Sequence, residues 1–173
     1  MPPPEIAPRK GSQTTYWVVA LLALGALTLF FNNLIDTQNN PNQQVSTRMT
    51  TDGQAEIVLQ QNRGGHYITS GTINGVPVEF LLDTGATDVS VPADVAERAG
   101  LIAGQVQRAS TANGTIEVFS TRIERIDIGE LRLRNVAASI NANIEGDEVL
   151  LGMSALRELH MTQTDGTLTI RTP

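Results

Sequence analysis

The 173-residue chain contains no cysteine. That excludes disulfides, thiolate–metal sites and cysteine nucleophiles, and it leaves the redox compartment unreadable. Histidine occurs twice, at His66 and His160, too few for a multi-histidine metal site within one chain. Lysine occurs once, at Lys10. With 12 Lys and Arg against 18 Asp and Glu, the net charge is −6. The clustered cations that hold a phosphate backbone are missing, so no nucleic-acid partner is expected. Aromatic residues are scarce at 4%.

Charge itself is absent from one stretch. No charged residue occurs between Tyr16 and Phe31, and the run extends through Ile35 before Asp36 ends it. Twenty residues of helix at about 1.5 Å each span about 30 Å, the thickness of a bilayer core. Tyr16 and Trp17 at one end, and Phe30 and Phe31 at the other, suit interfacial anchoring. The expected element is a transmembrane helix over residues 16–35. Two alternatives exist. A cleaved signal peptide has a shorter apolar region ending in small residues, whereas this one ends Phe-Phe-Asn-Asn. A buried core helix is rarely apolar all round in so small a chain. Arg9 and Lys10 precede the run, and the next basic residue is Arg48. The positive-inside rule then makes residues 1–15 a cytoplasmic tail and places the remainder outside a cell (inner) membrane, in the periplasm of a Gram-negative cell. Residues 36–54, rich in Asn and Gln, read as a disordered linker. Residues 55–173 are long enough for one modest core.

Within that domain the expected elements are mostly strands. His66–Ile73 and Val76–Leu82 flank Asn74-Gly75, a strong hairpin signal because both turn positions require positive φ. Val89–Val91 is a short strand. Pro92 opens a helix over Ala93–Ala99, with Gly100 as its stop. Val106–Thr111 and Thr115–Thr121 form a hairpin around Ala112-Asn113-Gly114. Arg122–Ile128, Leu131–Ile140 and Val149–Leu151 follow as strands. Ser154–Leu159 is a short helix with Ser154 as N-cap. His160–Gln163 and Thr167–Arg171 close the chain around Asp165-Gly166. Many short strands with two short helices indicate a mainly β, barrel-like or sandwich-like domain.

The chemistry concentrates in Phe80-Leu81-Leu82-Asp83-Thr84-Gly85-Ala86. A carboxylate ending an apolar strand faces desolvation and needs a specific partner; the plain structural reading is a turn in which Asp83 caps backbone N–H groups. The motif, a hairpin at Ser110–Val118, and Leu150-Leu151-Gly152 before a short helix follow in an order that resembles the retroviral-type (retropepsin-like) aspartic proteases, specifically their membrane-anchored bacterial relatives. The resemblance covers about Tyr67–Ile170. It implies the closed β-barrel acid-protease fold with one or two short helices. It also implies an aspartic endopeptidase acting on peptide or protein substrates without metal or cofactor.

One Asp-Thr-Gly per chain implies a homodimer in which Asp83 from each copy shares a proton and activates water. By the same resemblance Thr84 and Gly85 support the active-site loop. Ala86, Thr87 and Asp88 line the substrate cleft, although Asp88 reads equally well as a surface acid. Asn113 and Gly114 form the tip of a closing flap, and Leu150, Leu151 and Gly152 buttress the loop. One departure stands out: the arginine that follows the buttress glycine in retroviral enzymes is Met153 here. Leu168–Arg171 is a candidate dimer strand. The alternative reading keeps the fold as a catalytically weak dimerisation or peptide-binding module.

Overall fold

Runs without charge and runs of alternating character fold differently, and the chain contains both. The computed structural model describes residues 13–51, 53–111 and 114–173. The N-terminal apolar run is one helix, α1 (Gln13–Asn39), overrunning the expected 16–35 at both ends. It is long and apolar enough to cross a membrane, by length and composition, and residues 15–39 are exposed. Thr28 donates its hydroxyl to the Leu24 carbonyl at 2.9 Å, satisfying it inside the helix.

The compact C-terminal unit runs from Thr37 to Pro173. It therefore begins well before the expected boundary at residue 55, and the disordered-linker reading of 36–54 does not hold. Asn40 and Asn42 are buried, and β1 (Thr47–Met49) pairs antiparallel with β2 (Ala55–Gln60). The polar composition misled because the segment is held by hydrogen bonds rather than apolar burial. Asn42 donates to the carbonyls of Gln60 (2.9 Å) and Ile68 (2.6 Å) and accepts from the Gln60 N–H at 2.7 Å. One side chain thus replaces the ladder bonds that an adjoining strand would supply.

The remaining strands are β3 (Ile68–Ile73), β4 (Val76–Leu82), β5 (Val89–Pro92), β6 (Val106–Thr111), β7 (Gly114–Ile128), β8 (Leu131–Asn141), β9 (Glu148–Leu151), β10 (His160–Thr164) and β11 (Thr167–Arg171). Two short helices complete the unit, α2 (Ala93–Arg98) and α3 (Met153–Leu156). Asn74 and Gly75 both have positive φ, 51° and 87°, as the hairpin turn requires. The stretches expected as Thr115–Thr121 and Arg122–Ile128 are one 15-residue strand, because β8 pairs along most of its length.

Seven strands form a sheet in the order β3-β4-β9-β5-β8-β7-β6. A further pairing of β3 with β7, through Thr72↔Asp127 and Ile73↔Ile126, returns the sheet upon itself. Six strands thereby make a closed ring, and β6 projects beyond it as one arm of a hairpin. Phe80, Ile73, Ile126, Val149 and Leu151 are sealed inside. The second sheet, β1-β2-β11-β10, adds Ile57, Leu59, Leu168 and Ile170 to the same core. β11 lies between β2 and β10, with both edges paired. Leu168–Arg171 therefore offers no free edge to another chain.

Candidate active site

Asp83 is placed by the strand that carries it. β4 runs parallel to β9, with Leu81↔Leu150 and Leu82↔Leu151 in register. The ladder continues one step further, as the Asp83 N–H donates to the Leu151 carbonyl at 3.2 Å. The chain then turns. Asp83 Oδ1 accepts the Gly85 N–H at 2.8 Å, and the Ala86 N–H donates to the Asp83 carbonyl at 3.2 Å. The carboxylate is half-buried, with one oxygen tied to its own turn and the other without a partner among the described residues.

The loop from Asp83 to Asp88 is clamped from below by the residues after β9. The Met153 N–H donates to the Ala86 carbonyl at 2.8 Å, and the Ser154 N–H to the Thr87 carbonyl at 2.9 Å. Gly152 makes that approach possible. Its backbone (φ −89°, ψ −173°) suits any residue, so conformation is not the reason for glycine. A Cβ there would lie 2.8 Å from the Ala86 carbonyl oxygen and closer still to the Asp88 carbonyl. Ser154 is not the helix N-cap that its position suggests; Gly152 stands there. The Ser154 hydroxyl instead accepts the Val89 N–H at 3.0 Å and donates to the Ala137 carbonyl at 2.7 Å. It binds the end of the loop to β8, a role that its sequence context does not signal.

Beside this loop lies a cleft of about 640 Å³. Its lower side is Gly85, Ala86, Thr87 and Asp88, with Leu150 of the buttress. Its upper side is the β6–β7 hairpin, through Ala109, Ser110, Ile116 and Val118 among others. Leu151 and Gly152 are buried behind the loop. Asp83 and Thr84 are not part of the cleft lining, and Thr84 is exposed. The hairpin arms pair as far as Thr111↔Gly114. Gly114 has φ 117° and opens β7 rather than belonging to the turn. Asn113 lies outside the described residues. Ser90, Ser139, Asn141 and Ile144 also line the cleft. Sequence reasoning missed them; the available signal was Ser139 and Asn141 alternating with Ala138 and Ile140 along one strand.

Away from the cleft, Asp127 receives Arg125 at 2.8 Å and Arg132 at 2.7 Å, with Thr72 at 3.3 Å. Burial pushes its carboxyl up. The Arg132 hydrogen bond, the two guanidinium charges and Thr72 outweigh that and hold it below the usual carboxylate range. Arg132 is raised in turn, chiefly by its hydrogen bond to Asp127. Arg98 pairs with Asp147 at the surface, both side chains remaining largely exposed. Among the described residues no three His, Asp or Glu side chains group as metal ligands.

Residues 69–158 match the family profile described as "gag-polyprotein putative aspartyl protease". An uncharacterised protein from the cobV 5′ region of Sinorhizobium is 35% identical over 116 residues, 65% of this chain and 50% of that protein. An uncharacterised protein of Rickettsia prowazekii is 27% identical over 119 residues, 66% of this chain and 50% of that one. The chain thus spans about half the length of these curated relatives. The crystal structure of a retropepsin-like aspartic protease from Rickettsia conorii superposes with a TM-score of 0.56 at 23% identity, covering 75% of this chain and 94% of that one. That likeness is one of fold.

Proposed function

The chain belongs to the gag-polyprotein type of aspartyl protease family, and from that premise we propose that it is a membrane-anchored aspartic endopeptidase whose catalytic centre is completed by a second copy. The observation that carries this reading is Asp83 itself. It is a half-buried carboxylate with one free oxygen, on a loop pinned by the Met153 and Ser154 N–H groups, beside a peptide-sized cleft. One chain supplies one such carboxylate and leaves it outside its own cleft lining, as half of a two-fold site does.

In the dimer the two Asp83 carboxyls meet and cannot both ionise, so they hold one proton between them. The ionised member takes a proton from a bound water as that water attacks the peptide carbonyl. The protonated member hydrogen-bonds the carbonyl oxygen and later supports protonation of the leaving amine. No metal or cofactor takes part. Thr84, exposed at the turn, ties the paired loops together. Ala86, Thr87 and Asp88 hold substrate backbone and side chains, and the β6–β7 hairpin, Asn113 and Gly114 included, closes over them. α1 anchors the enzyme in the cell membrane, with the N-terminus cytoplasmic and the protease domain periplasmic. Confinement to one bilayer raises the effective concentration of the second copy, which offsets an interface lacking the retroviral arginine at Met153.

The test uses the full-length chain in lipid beside its Asp83→Asn counterpart, with a diverse peptide mixture from about pH 4 to 7.5 and cut sites read by mass spectrometry. The expected result is cleavage by wild type and a loss of about 10³-fold or more in the variant, with unchanged circular dichroism. Equal cleavage by both ends the reading. Peptide binding with no cleavage at any pH leaves a binding module of the same fold.

A further inference from the structure

One surface of the cleft is not used by the reaction. β8 is buried on both faces at its end: Ala138 and Ile140 pack into the core, while Ser139 and Asn141, 8% and 5% exposed, line the cleft. Neighbouring residues of a strand face opposite sides of the sheet, so the polar pair is set entirely on the cleft side. Ser90 of β5 stands in register with Ser139 on the adjacent strand, and Asp88 precedes it by two residues. Both line the same cleft.

The hydrogen bonds of this cluster do not close among themselves. Asn141 Oδ1 accepts the Asn143 backbone N–H at 2.9 Å and its side-chain amide at 3.2 Å. The Asn141 amide nitrogen and the Ser139 hydroxyl have no partner among the described residues. Neither is sealed from the cleft in the way the unpartnered Tyr67 hydroxyl is sealed in the core. Polar side chains this deeply buried are nearly always paired; here the open direction is the cleft.

We propose, resting on the peptidase reading above, that Ser139 and Asn141, with Ser90 and Asp88, form a subsite that selects a carboxamide side chain, Asn or Gln, close to the scissile bond. The amide offers what the cluster needs. Its carbonyl accepts from the Asn141 N–H, and its NH₂ donates to a serine oxygen or to the Asp88 carboxylate. An acidic side chain meets the like charge of Asp88. A cationic one can pair with Asp88 but has no acceptor to offer the Asn141 amide nitrogen, which stays unpaired. An apolar one leaves both buried groups unpaired, the situation in which a polar site discriminates most strongly. Arg108, the other charged residue of the lining, is exposed on the opposite arm, β6.

The test compares peptides that differ only by Gln or Met, and by Asn or Leu, at each position around a cut site, using the full-length chain in lipid nanodiscs. Wild type is expected to cut the amide member at least about tenfold faster at one position. Asn141→Leu erases or reverses that ratio while still cutting the apolar member, and the milder Ser139→Ala lowers it several-fold. Cleavage without an amide preference overturns the subsite, as does a preference that survives both substitutions. If no form cuts any peptide, the peptidase reading is what fails. Binding to the Asp83→Asn chain then judges the subsite alone: a Gln-over-Met preference lost on adding Asn141→Leu upholds it, and equal binding overturns it.

Discussion

The two sides of the cleft are built on opposite principles. The lower side rests on strands at the centre of the closed ring, β4, β5, β8 and β9. Its loop is tied by backbone hydrogen bonds from Met153 and Ser154 over a glycine that admits no side chain. The upper side is a hairpin whose first arm, β6, buries none of its six residues and pairs on one edge only. One side spends packing to fix a carboxylate in place; the other stays thin and apart from the core. The difference teaches where each kind of defect registers. On the proposed peptidase reading, damage below is expected to cost stability and geometry together, and damage above to cost substrate affinity with the fold intact.

Gly152→Ala is the strongest way to break this contrast. The added methyl enters the Ala86 and Asp88 carbonyls, so backbone rather than a side chain must give way. A loss of about 3 kcal/mol is expected, read by thermal unfolding, together with loss of peptide cleavage as the loop shifts. Ile116→Ala sharpens it from the other side. Ile116 lines the cleft and is only half-buried. KM is expected to rise about three- to tenfold, with stability changed by no more than about 0.5 kcal/mol. A larger stability loss at Ile116 than at Gly152 would reverse the assignment of the two sides.

The smallest effect tests the seam that closes the ring. Asp127 lies at the β3–β7 pairing, and its carboxyl titrates below the usual carboxylate range. It binds fewer protons folded than unfolded near its titration, so its stabilisation is complete above about pH 4 and is lost as pH falls through the lower native value. Its two arginines are half in water, 44% and 53% exposed, which limits the effect to about 1 kcal/mol or less. Unfolding followed from pH 6 down to 2.5 should show that decline in wild type and a smaller one in Asp127→Asn.

Legibility tracked how local each signal was. Asn74-Gly75 and Asp165-Gly166 announced their hairpins because positive φ is a property of the turn residues themselves. Asp83 was visible because an acid after Phe80-Leu81-Leu82 has no ordinary reason to end a buried strand. The segment 40–49 was misread because Asn42 owes its place to Gln60 and Ile68, partners 18 and 26 residues away. Ser154 looked like a helix cap, and only its distant partners Val89 and Ala137 show it to be a clamp.

By itself, then, the sequence determined the charge-free helix, the turns, the strand periods and the place of Asp83 at the end of an apolar strand, since each follows from residues adjacent along the chain. The tertiary structure alone decided that the sheet closes through β3 and β7, that β11 is interior, and that Ser139 and Asn141 face a cleft. Those outcomes depend on which surfaces remain open once distant strands have paired, and hydrogen-bond partners brought together by closure leave no period in the sequence.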